Sequence, residues 1–165
     1  TDPFQLIINQ VSASLKLTLV LGILRLSMNN SNSKRKRVIS VSCSIIINQK
    51  KILILKRKHK GPRNRLWEFP GGKQEAESPI DCAIRETLEE IHYEIEDIFY
   101  FCETKKAYLD INIRLTAFLC FSSNKFIPNL EVHDEFKWIK SSEFKQYEFP
   151  SANLEIIDIL IRNGY

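Results

Sequence analysis

Five glutamates crowd around one glycine pair and one short segment in LWEFPGGKQEAESPIDCAIRETLEEIHYEI, residues 66–95: Glu75, Glu77, Glu86, Glu89 and Glu90. Like charges at such spacing repel, so the cluster calls for a counter-charge. Arg85 stands four residues before Glu89 and can hold it, but one guanidinium does not neutralise three carboxylates. A divalent cation does. Hard oxygen ligands suit magnesium or manganese, and Mg²⁺ is commonly held by a few carboxylates together with substrate phosphates. The same residues also read as an acidic, solvated helix face, and the helix alone leaves both readings open.

The local elements that would position these groups are written around them. Ser78, Pro79 and Asp81 supply an N-cap, a proline at the first helical position and an acidic capping partner, which predicts a helix over 79–91. At 100° per residue, Ile80, Ile84, Thr87, Leu88 and Ile91 gather on one face, with Glu86, Glu89 and Glu90 roughly opposite. Gly71 and Gly72 permit a turn with positive φ and close approach of backbone to a ligand. From Val38 onward the chain reads as α/β. VISVSCSIII (38–47) and KILILKR (51–57) are strands joined as a hairpin through NQK; IFYFCE, NIRLTAFLCF and FKWIK are further strands, and a second helix is expected over 152–162.

Composition bounds the answer. With 165 residues, 44% hydrophobic and 27% charged, the chain suits one domain with a real core. The net charge of +4 is concentrated in KRKR (34–37) and KRKHKGPRNR (56–65), which point to an anionic partner or to a solvated basic surface. Cys43, Cys82, Cys102 and Cys120 show no C-x-x-C pairing and read as buried free thiols of a reducing compartment, hence a cytoplasmic protein. Residues 4–26 are apolar but broken by Asn9, Gln10, Lys16 and Arg25, a poor membrane span. They suit an upstream extension, or an amphipathic helix lying on the domain or on a membrane surface. The domain is therefore expected at 38–165, with 1–37 an extension and linker and the natural start at Met28, the chain's one methionine. Intact-mass measurement of the native protein checks this: the expected species begins at Met28, and one containing residues 1–27 refutes it.

Gly71, five residues, Glu77, seven residues and then RETLEE resembles the signature of the Nudix hydrolase family. The resemblance runs over about 38–163, and WEFPGGK, EVHDEFKWI and EFPSAN are similar to the mutator (MutT-like) branch. It implies a Nudix-type α/β/α sandwich, with a mixed curved β-sheet between helices. It also implies attack of water on the polyphosphate of an oxidised or non-standard nucleoside triphosphate such as 8-oxo-dGTP, giving the monophosphate and pyrophosphate with Mg²⁺ or Mn²⁺ as cofactor. By transfer, Glu86, Glu89 and Glu90 bind metal, with a carbonyl of Gly71 or Gly72 and a late-loop glutamate, Glu135 or alternatively Glu131. Glu86 and Glu89, oriented by Arg85, are the catalytic set, and Glu77 supports it. Arg57, ten residues before Trp67, matches a phosphate-contacting arginine of that branch. Trp67 and Phe69 line a base pocket or are simply core, and Asn153 reads a purine edge or caps the last helix. His59 and His133 read as surface residues. The partner is the nucleotide itself, with no stable nucleic-acid complex and no membrane, in a monomer or homodimer.

Three departures from the family pattern stand out. His92 and Thr87 replace a glycine and an aliphatic residue, and the loop before Glu77 is one residue short. They motivate a second reading, a degenerate Nudix domain that binds nucleotide or RNA without catalysis.

Overall fold

The two aliphatic runs form a hairpin that opens almost as soon as it is made. In this computed structural model, which describes residues 36–58, 64–109 and 111–165, β1 (Val38–Asn48) and β2 (Lys51–Arg57) are joined by Gln49 and Lys50, both at positive φ (47° and 61°). That is the backbone hand two-residue hairpin loops need. Only Ile47 with Ile52 and Asn48 with Lys51 then pair across it. The widening gap is filled by β3 (Trp67–Glu68), which pairs with β2, and β4 (Gly71–Lys73), which pairs with β1. Between them the Pro70 carbonyl accepts the Ser44 N–H at 2.8 Å. The sequence marks neither short strand, because two or three residues around a proline and two glycines carry no period.

The other edge of β1 runs parallel to β6 (Asn112–Phe121), from Val38 opposite Asn112 to Ile47 opposite Phe121. β5 (Ile98–Ala107) lies antiparallel outside β6, and β7 (His133–Ile139) antiparallel on β2, so the seven-stranded sheet is mixed. Alternation along β1 assigns its two faces. Cys43, Ile45 and Ile47 join Ile156, Ile157 and Leu160 of helix α2 (Ser151–Arg162), with Phe69, Phe144 and Phe149 in the same cluster. Ser44 and Ile46 face the other way, toward helix α1 (Pro79–Ile91) and its neighbours. Helices thus cover both faces, and the α/β/α sandwich is the observed architecture. Residues Arg37–Tyr165 form one compact unit.

The ends of α1 follow the sequence. Ser78 Oγ accepts the Asp81 N–H at 3.3 Å and donates to its carboxylate at 2.6 Å. His92 closes the helix in the left-handed conformation (φ 53°, ψ 38°), its Nδ1 2.7 Å from the Asn129 amide. The buried face is a correction. Cys82, Ala83, Thr87 and Ile91 are buried, while Ile80 and Leu88 are exposed. On the helical wheel the arc from Cys82 to Ile91 contains Glu86 and Glu90, so these two turn inward and only Glu89 points out, 59% exposed. The reason lies in β1: Ser44 donates to the Ala83 carbonyl at 3.3 Å and accepts from Thr87 Oγ1 at 2.8 Å. Thr87 is therefore a matched polar contact and not an apolar position gone wrong.

The four cysteines are free thiols, and burial raises the pKa of each, Cys82 and Cys102 to about 11 and Cys120 to about 12. No helix among the described residues is long and apolar enough to cross a membrane. Residues 1–35, with Met28, and His59, Lys60 and Arg63 lie outside the described residues.

The Ser44–Thr87 contact sets an expectation for stability. Ser44→Ala orphans the buried Thr87 hydroxyl and should cost about 1–3 kcal/mol in urea unfolding, whereas adding Thr87→Val should recover part of that loss.

Candidate active site

Where β1 and β2 part, a cavity of about 290 Å³ opens between the β3–β4 turn, α1, the start of β6 and the start of α2. One side carries charge: Arg57, Glu68, Glu86 and Glu90 beside Gly71 and Gly72. The other is mainly apolar, with Val41, Phe69, Ile113 and Leu115, and is closed by Tyr108, Ala152 and Asn153.

The glycine pair sets the spacing of the charged side. A Cβ on Gly71, whose φ is 155°, would overlap the Ser42 carbonyl, and one on Gly72 would overlap the Glu86 carboxylate. The first overlap is with backbone and forbids any side chain at Gly71; the second is with the end of a movable side chain, so a residue at Gly72 would push the Glu86 carboxylate out of its place. The Gly71 N–H donates to Glu90 Oε2 at 3.0 Å. Burial nevertheless pushes the Glu90 pKa up to about 8, against that hydrogen bond, and the carboxylates of Glu68 and Glu86 push the same way, with Arg57 opposing.

Arg85 organises the remaining acids. Its NH2 meets Glu77 Oε1 at 2.8 Å and its Nε meets Oε2 at 3.2 Å, a two-pronged pair. NH1 bridges Glu86 Oε1 (2.9 Å) and Glu89 Oε2 (3.0 Å), and NH2 also donates to the Lys73 carbonyl (3.2 Å). These partners raise the arginine pKa further, and the Arg85 hydrogen bonds lower the Glu77 pKa to about 2. The short loop thus still delivers Glu77 to Arg85, with the Gln74 amide donating to the Glu77 carbonyl at 2.6 Å.

The residues fit a divalent cation by donor chemistry: hard oxygens packed against a glycine backbone, with burial raising the pKa of one of them, Glu90, so that a cation there would favour its charged form. Among the described residues no three acidic, histidine or cysteine side chains converge as a finished cage, and Arg85 NH1 engages both Glu86 and Glu89.

Of the residues singled out in the sequence, Arg57, Phe69, Gly71, Gly72, Glu86, Glu90 and Asn153 line this one cavity; Trp67, Arg85, Glu89 and Glu135 do not. Trp67 pairs with Lys56 in the ladder and is buried in the core cluster that also holds Phe69, edge-on to Tyr147 at 5.1 Å with Lys56 and Lys137 over its ring. Glu135, paired with Lys56 in the ladder, is taken up by Lys56 and Lys137, each at 3.3 Å. Glu131 lies nearer the acidic helix, its N–H donating to the Glu90 carbonyl at 3.1 Å. Asn153 is no helix cap. Pro150 holds that position and Asn153 is the third helical residue, 8% exposed at the cavity wall. His133 is not at the surface either; it is 3% exposed and bonded to Glu68. Sequence reasoning missed Glu68, His133 and Tyr108. Alternation across Trp67-Glu68 was the available signal for the first, since a tryptophan on one face sends its neighbour to the other.

Inward carboxylates on one helix, a glycine backbone against them and an arginine beside them line one cavity of an α/β/α sandwich, a class of site suited to a metal and an anionic ligand. The chain belongs to the Nudix hydrolase family: the NUDIX domain model matches residues 42–158. It is 34% identical over 119 residues to an 8-oxo-dGTP diphosphatase of Buchnera aphidicola subsp. Schizaphis graminum (strain Sg), covering 72% of this chain and 89% of that protein. A counterpart from Buchnera aphidicola subsp. Acyrthosiphon pisum (strain APS) is 29% identical over 120 residues, 72% of this chain and 94% of its own length. The crystal structure of a MutT protein from Methanosarcina mazei Go1 shares the fold at a TM-score of 0.70 and 20% identity, over 81% of this chain and 100% of that one. The chain is thus an enzyme of the Nudix class, as its relatives are diphosphatases.

The Glu90 environment predicts a pH dependence. Its folded pKa, about 8, lies above its ordinary value of 4.5, so the folded metal-free protein holds a proton that the unfolded chain has lost. The resulting stabilisation is full below about pH 4.5 and is lost as pH rises toward 8. Urea midpoints in a chelator should fall across that window, and Glu90→Gln should remove this component of the slope.

Proposed function

We propose that this enzyme is a metal-dependent nucleoside triphosphate diphosphatase that hydrolyses oxidised or non-standard (d)NTPs such as 8-oxo-dGTP to the monophosphate and pyrophosphate. The observation that carries the reading is the shape of one cavity. An aromatic ring and an amide, Phe69 and Asn153, share it with Arg57 and the inward carboxylates Glu86 and Glu90. Such a site suits a ligand with a planar polar base at one end and phosphates at the other. The two Buchnera proteins support the substrate class.

Glu86, Glu89 and Glu90, with a carbonyl of Gly71 or Gly72, would hold the cation, Mg²⁺ or Mn²⁺. Bound there it would neutralise phosphate charge, polarise P–O bonds and lower the pKa of a bound water. Arg85 keeps Glu77, Glu86 and Glu89 in register, Arg57 reaches a substrate phosphate, and one of the helix carboxylates, or Glu131 from the late loop, takes the proton of the attacking water. Glu135 is paired with two lysines and Glu131 with His92, and either late-loop glutamate would complete the ligand set by releasing its partner. The assigned domain is 38–165, acting on the nucleotide pool of the cytoplasm as a monomer or homodimer.

Asn153 presents both a donor and an acceptor to a purine edge. Pyrophosphate release from a panel of canonical and oxidised nucleotides, with and without Mg²⁺, is the test. Release should require the metal and favour the oxidised guanine nucleotide. Asn153→Ala should lower kcat/KM for that nucleotide by about tenfold or more while sparing the others. An equal loss on every nucleotide rejects base reading, and no release from any nucleotide rejects the assigned activity.

A further inference from the structure

Arg57 reaches the cavity from the end of β2, and two neighbours decide where its guanidinium sits. NH1 donates to Glu68 Oε2 at 2.8 Å, and the other oxygen, Glu68 Oε1, lies 2.9 Å from His133 Nε2. A carboxylate only accepts, so the hydrogen of that second contact is on the histidine. Burial deepens along the chain of contacts: the side chain of Arg57 is 42% exposed, that of Glu68 14% and that of His133 1%. The outermost group is the one that can meet a ligand, and the innermost is fixed by the core.

The strand ladders build this series. β3 places Glu68 opposite Leu55, one pair from the end of β2. On the other edge Lys56 faces Glu135 and Arg57 faces His133, a register shift that takes Asp134 out of the pairing. A regular ladder would set Asp134 across from Arg57 and bring a second carboxylate toward Glu68. With the bulge, a donor stands there instead. Both oxygens of Glu68 are thereby engaged by side chains, unlike those of Glu90, whose Oε2 takes only a backbone N–H.

We propose that Glu68, clamped by the buried His133, is a positioning residue that fixes Arg57 for a substrate phosphate. The inference rests on the phosphate role of Arg57 put forward above. An arginine side chain free to rotate loses rotamer entropy when a ligand orders it. Here that order exists beforehand, and among the described residues Glu68 takes one of the five guanidinium hydrogens, leaving the others to meet phosphate oxygens. Glu68 also keeps Arg57 from swinging toward Glu90, which lies within electrostatic reach of both.

The experiment is a double-mutant cycle read by calorimetry, with an α,β-methylene nucleoside triphosphate as the probe in Mg²⁺ and with kcat and KM on the hydrolysable nucleotide alongside. Arg57→Ala and Glu68→Ala should each weaken the probe about tenfold, with the loss falling more on KM than on kcat. The double variant should bind no more weakly than Arg57→Ala, because Glu68 acts only through the arginine. His133→Gln, which can still donate to Glu68, should bind nearly as the parent does, and His133→Leu should match Glu68→Ala. Additive losses would mean that Glu68 meets the ligand or the cation directly, and would overturn the proposal, as would unchanged binding in Glu68→Ala. If Arg57→Ala has no effect, the proposal falls together with the phosphate role of that residue. Intact coupling with no turnover of any nucleotide would overturn the hydrolytic reading alone. Should His133→Leu fail to fold, the Arg57–Glu68 cycle decides by itself.

Discussion

A Cβ at Gly71 would run into the Ser42 carbonyl and one at Gly72 into the Glu86 carboxylate, so β4 lies nearer to β1 and α1 than side chains at those two positions would allow. From that approach the rest follows. The Gly71 N–H reaches Glu90, the Pro70 carbonyl reaches Ser44, and small residues on the facing side of α1 let the helix settle on two serines of β1 instead of an aliphatic ridge. The acidic helix is thus mounted on backbone, and its position is set to within the width of one missing methyl group.

Charge is then divided unevenly. Arg85 ties Glu77, Glu86 and Glu89 into one rigid group and leaves Glu90 with a single backbone N–H against two neighbouring carboxylates. Glu77 and Glu90 are accordingly driven in opposite directions, one to about 2 and the other to about 8. A protein interior sustains one uncompensated carboxyl of this kind by keeping its proton, and a cation would displace that proton.

The sequence announced what depends on composition and period: the long strands, both helices, the Ser78 cap and the crowding of glutamates beside two glycines. It could not show which way α1 turns, because that depends on Ser44, on a strand more than thirty residues earlier. Counting aliphatic residues put Ile80 and Leu88 inside, when the small and polar Ala83 and Thr87 were the ones that met that serine. The surroundings of Glu135 were hidden for a similar reason: a one-residue bulge between Lys56 and Arg57 sets the pairing of HDE with β2, and a bulge leaves no mark in hydrophobic period. His133 was taken for surface because lone histidines usually are; its partner Glu68 is far off in sequence and close only in the folded sheet.

The parallel pairing of β1 with β6 has a consequence for how the chain comes to exist. Val38 finds its partner at Asn112, 74 residues downstream, and almost all of β1 is bonded to that distant strand while only its last two residues meet β2. Synthesis proceeds at roughly 5–20 residues per second, so an aliphatic strand with an unpaired edge waits about 4–15 seconds for its mate to emerge. Loop closure over such a span is slow in any case, since entropy is lost before contacts repay it. Nascent chains therefore pass through an interval in which SVSCSIIIN is open to other strands.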